Sequence, residues 1–364
     1  MSYALPRIKH RNYTPEGVMF KTINNAIQGE ALLNEVKGNL FEYLIASSLS
    51  VTHGFQRSFV ESFEASENGK SKELLKKYQK WLLENDRELY SKLPELGRQV
   101  AGYIDDTILR PRDFMPSNIS VVGKSFGGKG DDTLGECDLF IHGAGEGIPI
   151  SIKLCKKGAY VNTKSGGVRS FISKYFSSFP NADFWQEKCN QVLMTSFDVM
   201  ADQFYQWADL GEVTLEGKEE KRQFSAVWEQ KGYPNLPGEV APECKEFLSL
   251  FYHSVISVIH QAFEEFYSSD RENFVKCLAP IVGLTNEDVE QVTCYRGEGY
   301  ELKGLSHFSQ SEFTELSASI LFNPLKEGLS SFSMNLGEKV LQIRVKPMNK
   351  FTVSALKVNC SLKD

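Results

Sequence analysis

An α/β fold follows from the way the hydrophobic pattern changes along the chain. Residues 23 to 50 place Ile27, Leu32, Leu33, Val36, Leu40, Phe41, Leu44 and Ile45 at helical spacing, whereas apolar residues between 119 and 155 bunch into short runs cut by glycine. Helical spacing then returns, and the last third goes back to alternation. The 364 residues are 41% hydrophobic, with 25 Phe, 14 Tyr and 4 Trp, which is apolar mass enough for one elaborated domain or two and excludes wholesale disorder. No stretch approaches the roughly 20 uncharged apolar residues of a bilayer span, and Met1 to Arg11 is basic and polar without an apolar signal core, so a cytoplasmic protein is expected. Seven cysteines (137, 155, 189, 244, 277, 294 and 360) are scattered with no C-x2-C spacing, which predicts reduced thiols and no structural zinc.

Taken in order, the first helix (23–50) is followed by a second helical stretch over 71–112, rich in Lys, Glu and Leu, with Pro94 and Pro111 as expected interruptions. Three consecutive strands come next: Ile119 to Val122, Cys137 to His142 and Ile148 to Cys155, the last two joined by the glycine-rich Gly143-Ala-Gly-Glu-Gly147. Val168, Phe171, Ile172 and Tyr175 predict a helix after Thr163-Lys-Ser-Gly-Gly167, and 184–208 and 243–269 predict two more. Charge and prolines over 209–242 read as a linker or surface excursion. From Val292 strands return, most clearly Val340 to Lys346 and Phe351 to Cys360 around the turn Pro347 to Lys350.

The formal charge of −6 hides an uneven distribution. Ser151 to Ala182 contains no acid, while Lys153, Lys156, Lys157, Lys164, Arg169 and Lys174 are basic. A second basic stretch closes the chain, and Arg7, Lys9 and Arg11 add charge at the start. Such patches steer polyanions even when the average charge is negative.

Strand alternation converts part of this pattern into candidate chemistry. In the third strand Ser151 and Lys153 point to the face opposite Ile150, Ile152 and Leu154, and in the second Asp138, Phe140 and His142 share a face. A hairpin loop of Ala144 to Gly147 would set Asp138 opposite Lys153. The pair reads as a structural ion pair or, beside a basic segment suited to phosphates, as a carboxylate able to hold Mg²⁺, which takes one or two carboxylates plus water and phosphate oxygens.

A helix carrying Gly38-x-x-x-Glu42, a strand with Asp138, a strand ending in a triplet with Lys153 and a following helix together resemble the core order of the PD-(D/E)XK nucleases, the restriction-endonuclease-like superfamily. The resemblance covers about residues 30–180. It implies a restriction-endonuclease-like mixed sheet flanked by helices, with a helical insertion and a C-terminal strand-rich region. In this reading residues 1–55 are an N-terminal arm and first core helix, 56–115 the insertion, 116–208 the nuclease core, 209–290 linker and helices, and 291–364 a strand-rich part able to contact DNA. The implied catalytic residues are Asp138, Lys153, Glu42 and Ser151, with Asp138, Glu42 and Glu136 as ligands of Mg²⁺. Cys137 stands where the motif has proline. Ser151 stands where it has a second acid, so Glu42 or Glu136 would supply the missing charge or activity would be lost. The implied reaction is hydrolysis of DNA phosphodiester bonds, most simply cleavage of duplex DNA by a type II restriction-like homodimer. A structure-specific repair nuclease and a non-catalytic DNA-binding protein on the same fold are the alternatives.

For DNA contact the basic segments offer Lys156, Lys157, Asn162, Lys164 and Arg169, with the Lys164 to Gly167 stretch as a possible phosphate-holding helix entry, and Arg344 and Lys346 on the polar side of the terminal hairpin. That polar row equally suits a solvated face. Gly123 to Gly130 lacks the spacing of a nucleotide-binding phosphate loop and reads as a glycine-rich loop whose Lys124 and Lys129 could touch DNA; Asp131 and Asp132 read as turn residues. His142, alone among the six histidines near the proposed centre, reads as structural.

Overall fold

A computed structural model describes residues 26–65, 70–122, 137–284 and 289–363. Along the chain run helices α1 (Ala26–Thr52), α2 (Gln56–Ala65), α3 (Lys70–Asn85) and α4 (Arg87–Ile104), then strands β1 (Asn118–Val121), β2 (Leu139–His142), β3 (Gly147–Lys156) and β4 (Val161–Gly167). Next come α5 (Val168–Tyr175), α6 (Ala182–Trp207), β5 (Leu215–Glu216), β6 (Gln223–Phe224), α7 (Ala226–Gln230), α8 (Lys245–Ser269) and α9 (Arg271–Leu278). The chain closes with β7 (Glu290–Arg296), β8 (Leu302–Phe308), α10 (Gln310–Leu316), β9 (Ile320–Phe322), β10 (Ser331–Leu336), β11 (Lys339–Pro347) and β12 (Leu356–Lys363). The α/β class is as expected. The division into parts is not by consecutive segments: one compact unit joins Met1–Ala159 to Leu284–Gln310, the other joins Tyr160–Gly283 to Ser311–Asp364, and the 116–208 segment is shared between them.

In the first unit the sheet order is β1-β2-β3-β7-β8, antiparallel except for the β3–β7 pair. A parallel pair needs a crossover, and here it is residues 157–289, which carry β4 to α9. One row of the sheet (Ile119, Leu139, Ile141, Ile148, Ile150, Ile152, Val292, Cys294) packs into a core with Val36, Leu40, Phe41, Ile45 and Leu49 of α1 and with α2 to α4. The helical break falls at Asp86, whose side chain caps α4 by accepting from Leu89 N at 2.9 Å, and α4 runs on through Pro94. A mid-helix proline costs about 3 kcal/mol, and the buried row Leu89, Leu93, Leu96, Val100 and Ile104 offsets it. Pro111 lies in a short 3₁₀ turn after a π-helical turn at Asp105–Leu109.

The second unit has the antiparallel sheet order β4-β12-β11-β10-β9. Its apolar row includes Phe332, Met334, Leu341, Ile343, Val345, Val358 and Cys360, all buried, with His260 and Phe263 of α8 against Phe332 at ring distances of 4.7 and 5.6 Å. The 209–242 stretch is no linker. Trp228 is fully buried among Phe204, Tyr205, Phe224, Tyr233 and Phe351, and donates its indole N–H to Pro234 O at 2.9 Å. Its aromatics are too irregularly spaced to show a period, so their burial is fixed by tertiary contacts alone.

Ile150 is fully buried at the point where β2, β3 and β7 meet. Ile150→Ala is expected to lower stability by about 3 kcal/mol and Ile150→Val by about 1 kcal/mol, read as shifts in the urea midpoint with unchanged slope.

Candidate functional site

The β2–β3 ladder ends at the Leu139–Ile150 pair, while β3 continues beside β7 as far as Lys156. Asp138 occupies this fork. Its backbone N–H donates to Ile150 O at 2.9 Å, and its Oδ2 accepts the Ile152 N–H at 2.7 Å, so the side chain takes the place of the strand carbonyl that β2 no longer supplies. Ser151 Oγ donates to the same Oδ2 at 3.3 Å and Lys153 Nζ at 3.4 Å. Among the described residues nothing donates a hydrogen bond to Oδ1, the oxygen left for a ligand.

The predicted cross-strand register differs by two residues. The turn residues are Gly143 to Glu146 and His142 pairs with Gly147, which places Asp138 level with Ser151 and not with Lys153. Side-chain direction has a period of two, so this shift leaves Asp138, Ser151 and Lys153 on one face, and the lysine still reaches the carboxylate. Asp138 and Lys153 are each about one-fifth exposed, shielded but open to a ligand.

Glu42 on α1 joins them. Burial, and then the Asp138 carboxylate, push its pKa up to about 9 against the opposing pull of Lys153, and its Oε2 is buried without a hydrogen-bond partner. A buried oxygen with no donor beside a second carboxylate is a site that a cation or a proton would relieve. Two carboxylates are fewer than a closed protein cage for a metal; among the described residues no group of three or more His, Cys, Asp or Glu side chains could hold one. They are enough for Mg²⁺, which keeps waters and takes phosphate oxygens, so the donor set fits that ion as Glu42 plus Asp138. Glu136 lies outside the described residues, as do Gly123 to Gly130, Asp131, Asp132 and the basic N-terminal residues.

Two residues of the site escape the sequence reading. Gln291 and Thr293 of β7 pair with Ser151 and Lys153, are buried, and Gln291 Oε1 has no partner. The parallel register that brings them there connects positions about 140 apart in the chain, for which a single sequence carries no signal. Beside them, buried Glu290 is held by Arg112 and by His307 Nε2 at 2.5 Å; burial alone would raise its pKa, but these two partners hold it below the usual carboxylate range. His142 is tied into the sheet: Ser120 Oγ lies 2.8 Å from its Nε2, the Phe140 ring stacks edge-on at 4.8 Å, and burial lowers its pKa.

The basic residues divide between the units. Lys156 and Lys157 are exposed at the end of β3 in the first unit, with Lys156 3.8 Å from Glu298. Asn162, Lys164, Arg169, Arg344 and Lys346 belong to the second. Lys164 to Gly167 leads into α5, with Gly167 as its N-cap, but does so as the end of β4, laddered to β12, with Lys164 level with Cys360. Arg169 is turned inward, its guanidinium 2.7 Å from Met194 Sδ and 3.1 Å from Glu219 O. Among the described residues no helix is long and apolar enough to cross a membrane. No family model, curated protein or solved structure matches the chain.

The raised pKa of Glu42 has a stability consequence. Between the unfolded value near 4.3 and the folded value of about 9, the folded state keeps a proton that the unfolded state has lost, so stability falls as pH rises through this window. In EDTA, Glu42→Gln is expected to match wild type at pH 4 and to exceed it by on the order of 2 kcal/mol at pH 8.5. Urea titrations at the two pH values test this; equal stability at both would mean that Glu42 is not a buried, partnerless carboxyl.

Proposed function

We propose that the chain is a Mg²⁺-dependent DNA endonuclease with Asp138, Glu42 and Lys153 at its centre. The observation that carries the reading is the convergence of these three at the β2–β3 fork, with Glu42 Oε2 buried and without a hydrogen-bond partner among the described residues. The element order, a helix bearing Glu42, three antiparallel strands and a strand parallel to the third, supports the resemblance to the PD-(D/E)XK core.

Glu42 and Asp138 would hold Mg²⁺, which supplies Lewis-acid polarisation of the scissile phosphate and an acidified water. Lys153, on its flexible stem and already drawn toward Asp138, binds a non-bridging phosphate oxygen and favours the charge that develops there. Ser151 donates to Asp138 Oδ2 and so helps to orient the carboxylate. Gln291 offers its amide beside Ser151 as a further orienting group. Exposed Lys156 and Lys157 extend the positive surface along the substrate backbone. A homodimer cutting both strands of a symmetric site, in the cytoplasm, is the arrangement that goes with this reading.

One feature favours a second reading, a DNA-binding protein without cleavage: Ser151, neutral and fully buried, stands where the family has an acid. Supercoiled plasmid with Mg²⁺ separates the two. Wild type is expected to nick or linearise it, and Asp138→Ala and Lys153→Ala to lose about 10³-fold in rate. Mg²⁺ is also expected to raise the unfolding temperature of wild type and to leave Glu42→Gln unmoved. Intact plasmid with retained DNA binding would favour the second reading.

A further inference from the structure

The sheet of the second unit has two unlike faces. One is the apolar row that meets α8. The other carries Asn162 and Ser165 of β4, Lys357, Asn359, Ser361 and Lys363 of β12, Gln342, Arg344 and Lys346 of β11, and Ser331, Ser333 and Asn335 of β10, brought side by side by the registers of the four strands. Asn162, Ser165 and Arg344 are exposed, and Gln342, Lys346, Lys357 and Lys363 are half-buried.

A solvated sheet face in an acidic protein would mix charges of both signs. This one does not. The five strands contain not one Asp or Glu and set Arg344, Lys346, Lys357 and Lys363 on this face, in a chain whose acids outnumber its bases 47 to 41. Lys346 and Lys357 are direct cross-strand partners, with Arg344 one step along the same row. Like charges placed opposite each other destabilise a sheet, and among the described residues no carboxylate pairs with Arg344, Lys346 or Lys357. Burial lowers the pKa of Lys346, and Lys357 and Arg344 lower it further, so the cations here feel one another. At the centre, Asn359 donates to Asn162 at 2.8 Å and Ser361 donates to it at 3.0 Å, giving a flat hydrogen-bonded floor between the charges.

We infer that this face is a docking surface for the phosphate backbone of duplex DNA. Side chains two apart on a strand are about 6.7 Å apart and neighbouring strands about 4.8 Å apart, so the cations form a grid that meets a regular polyanion at several points together. Asn359 and Ser361 are buried beneath this surface, and exposed Asn162 and Ser165 are the short amide and hydroxyl that can donate to phosphate oxygens without reading bases. A single strand is a poorer fit, because base stacking needs open aromatic rings, and the ring at the margin of this face, Tyr160, has Lys363 over it at 5.6 Å. A bilayer is a poorer fit too: the apolar residues of this face, exposed Leu321 and half-buried Val340, sit at its far end beside Asn335, about six residues along β11 from the Lys346–Lys357 pair. The choice of DNA among duplex polyanions rests on the nuclease reading of the first unit.

The test is fluorescence anisotropy of a labelled 30-base-pair duplex titrated with the full chain in EDTA, where nothing is cut. Lys346→Glu/Lys357→Glu is expected to weaken binding at least tenfold and to flatten the dependence of log affinity on log salt by about 2. Ser333→Lys, on the same face, is expected to tighten binding, a gain that misfolding does not mimic; Lys231→Glu, exposed elsewhere in the unit, is expected to change nothing. Duplex binding unaltered in both face variants overturns the proposal, as does equal affinity for polyglutamate or for phosphatidylserine vesicles. Face-dependent binding without plasmid cleavage overturns the nuclease reading alone, and cleavage with face-independent binding overturns this inference alone.

Discussion

The arrangement of the first unit turns on a single charge-assisted hydrogen bond, from Ile152 N–H to Asp138 Oδ2. Where two strands part, an edge of unpaired amides is exposed, and a buried N–H left without a partner costs about 1–3 kcal/mol. Asp138 covers that edge with a side chain and so remains at the fork, within reach of Lys153 and of the carboxyl of Glu42. Replacing the strand carbonyl with a carboxylate gives the backbone its acceptor while keeping a negative charge at the place where the sheet opens. The electrostatics of the site follow: Glu42 is forced toward its neutral form by burial and by this neighbour, and the lysine is drawn to the same point.

Much of this was legible because strand geometry is forgiving in one respect. The hairpin turn lies one residue from where the sequence predicts it and the register slips by two, yet an even slip keeps every side chain on its own face, so Asp138, Ser151 and Lys153 share a face for a reason independent of the loop. Glu42 was reachable only through the family resemblance, since nothing in a helical period says which helix faces which strand. Gln291, Thr293 and the Glu290–Arg112–His307 cluster were out of reach, because parallel pairing across the whole second unit leaves no local trace. Helix existence was clear from spacing, while the break at Asp86 was missed because a capping side chain outweighs a proline whose cost is offset by burial.

The two units solve the same problem differently. In the first, helices cover an isoleucine-rich row and the functional groups gather where strands diverge. In the second, strands stay paired along their length, and what varies is the chemistry of the face opposite α8: amides, hydroxyls and cations without acids. Sequence alternation announced that row at Gln342, Arg344 and Lys346, but the like-charged Lys346–Lys357 pair exists only once β11 and β12 are registered.

The parallel pairing of β3 with β7 has a topological consequence. The two strands flank a loop of more than a hundred residues, and because the entropy of closing a loop grows only slowly with its length, the ladder tolerates a whole second unit between its strands. A single peptide-bond scission anywhere between 157 and 289 would therefore leave the first unit as two separate polypeptides, with Lys153 on one and Gln291 on the other, joined by noncovalent contacts alone.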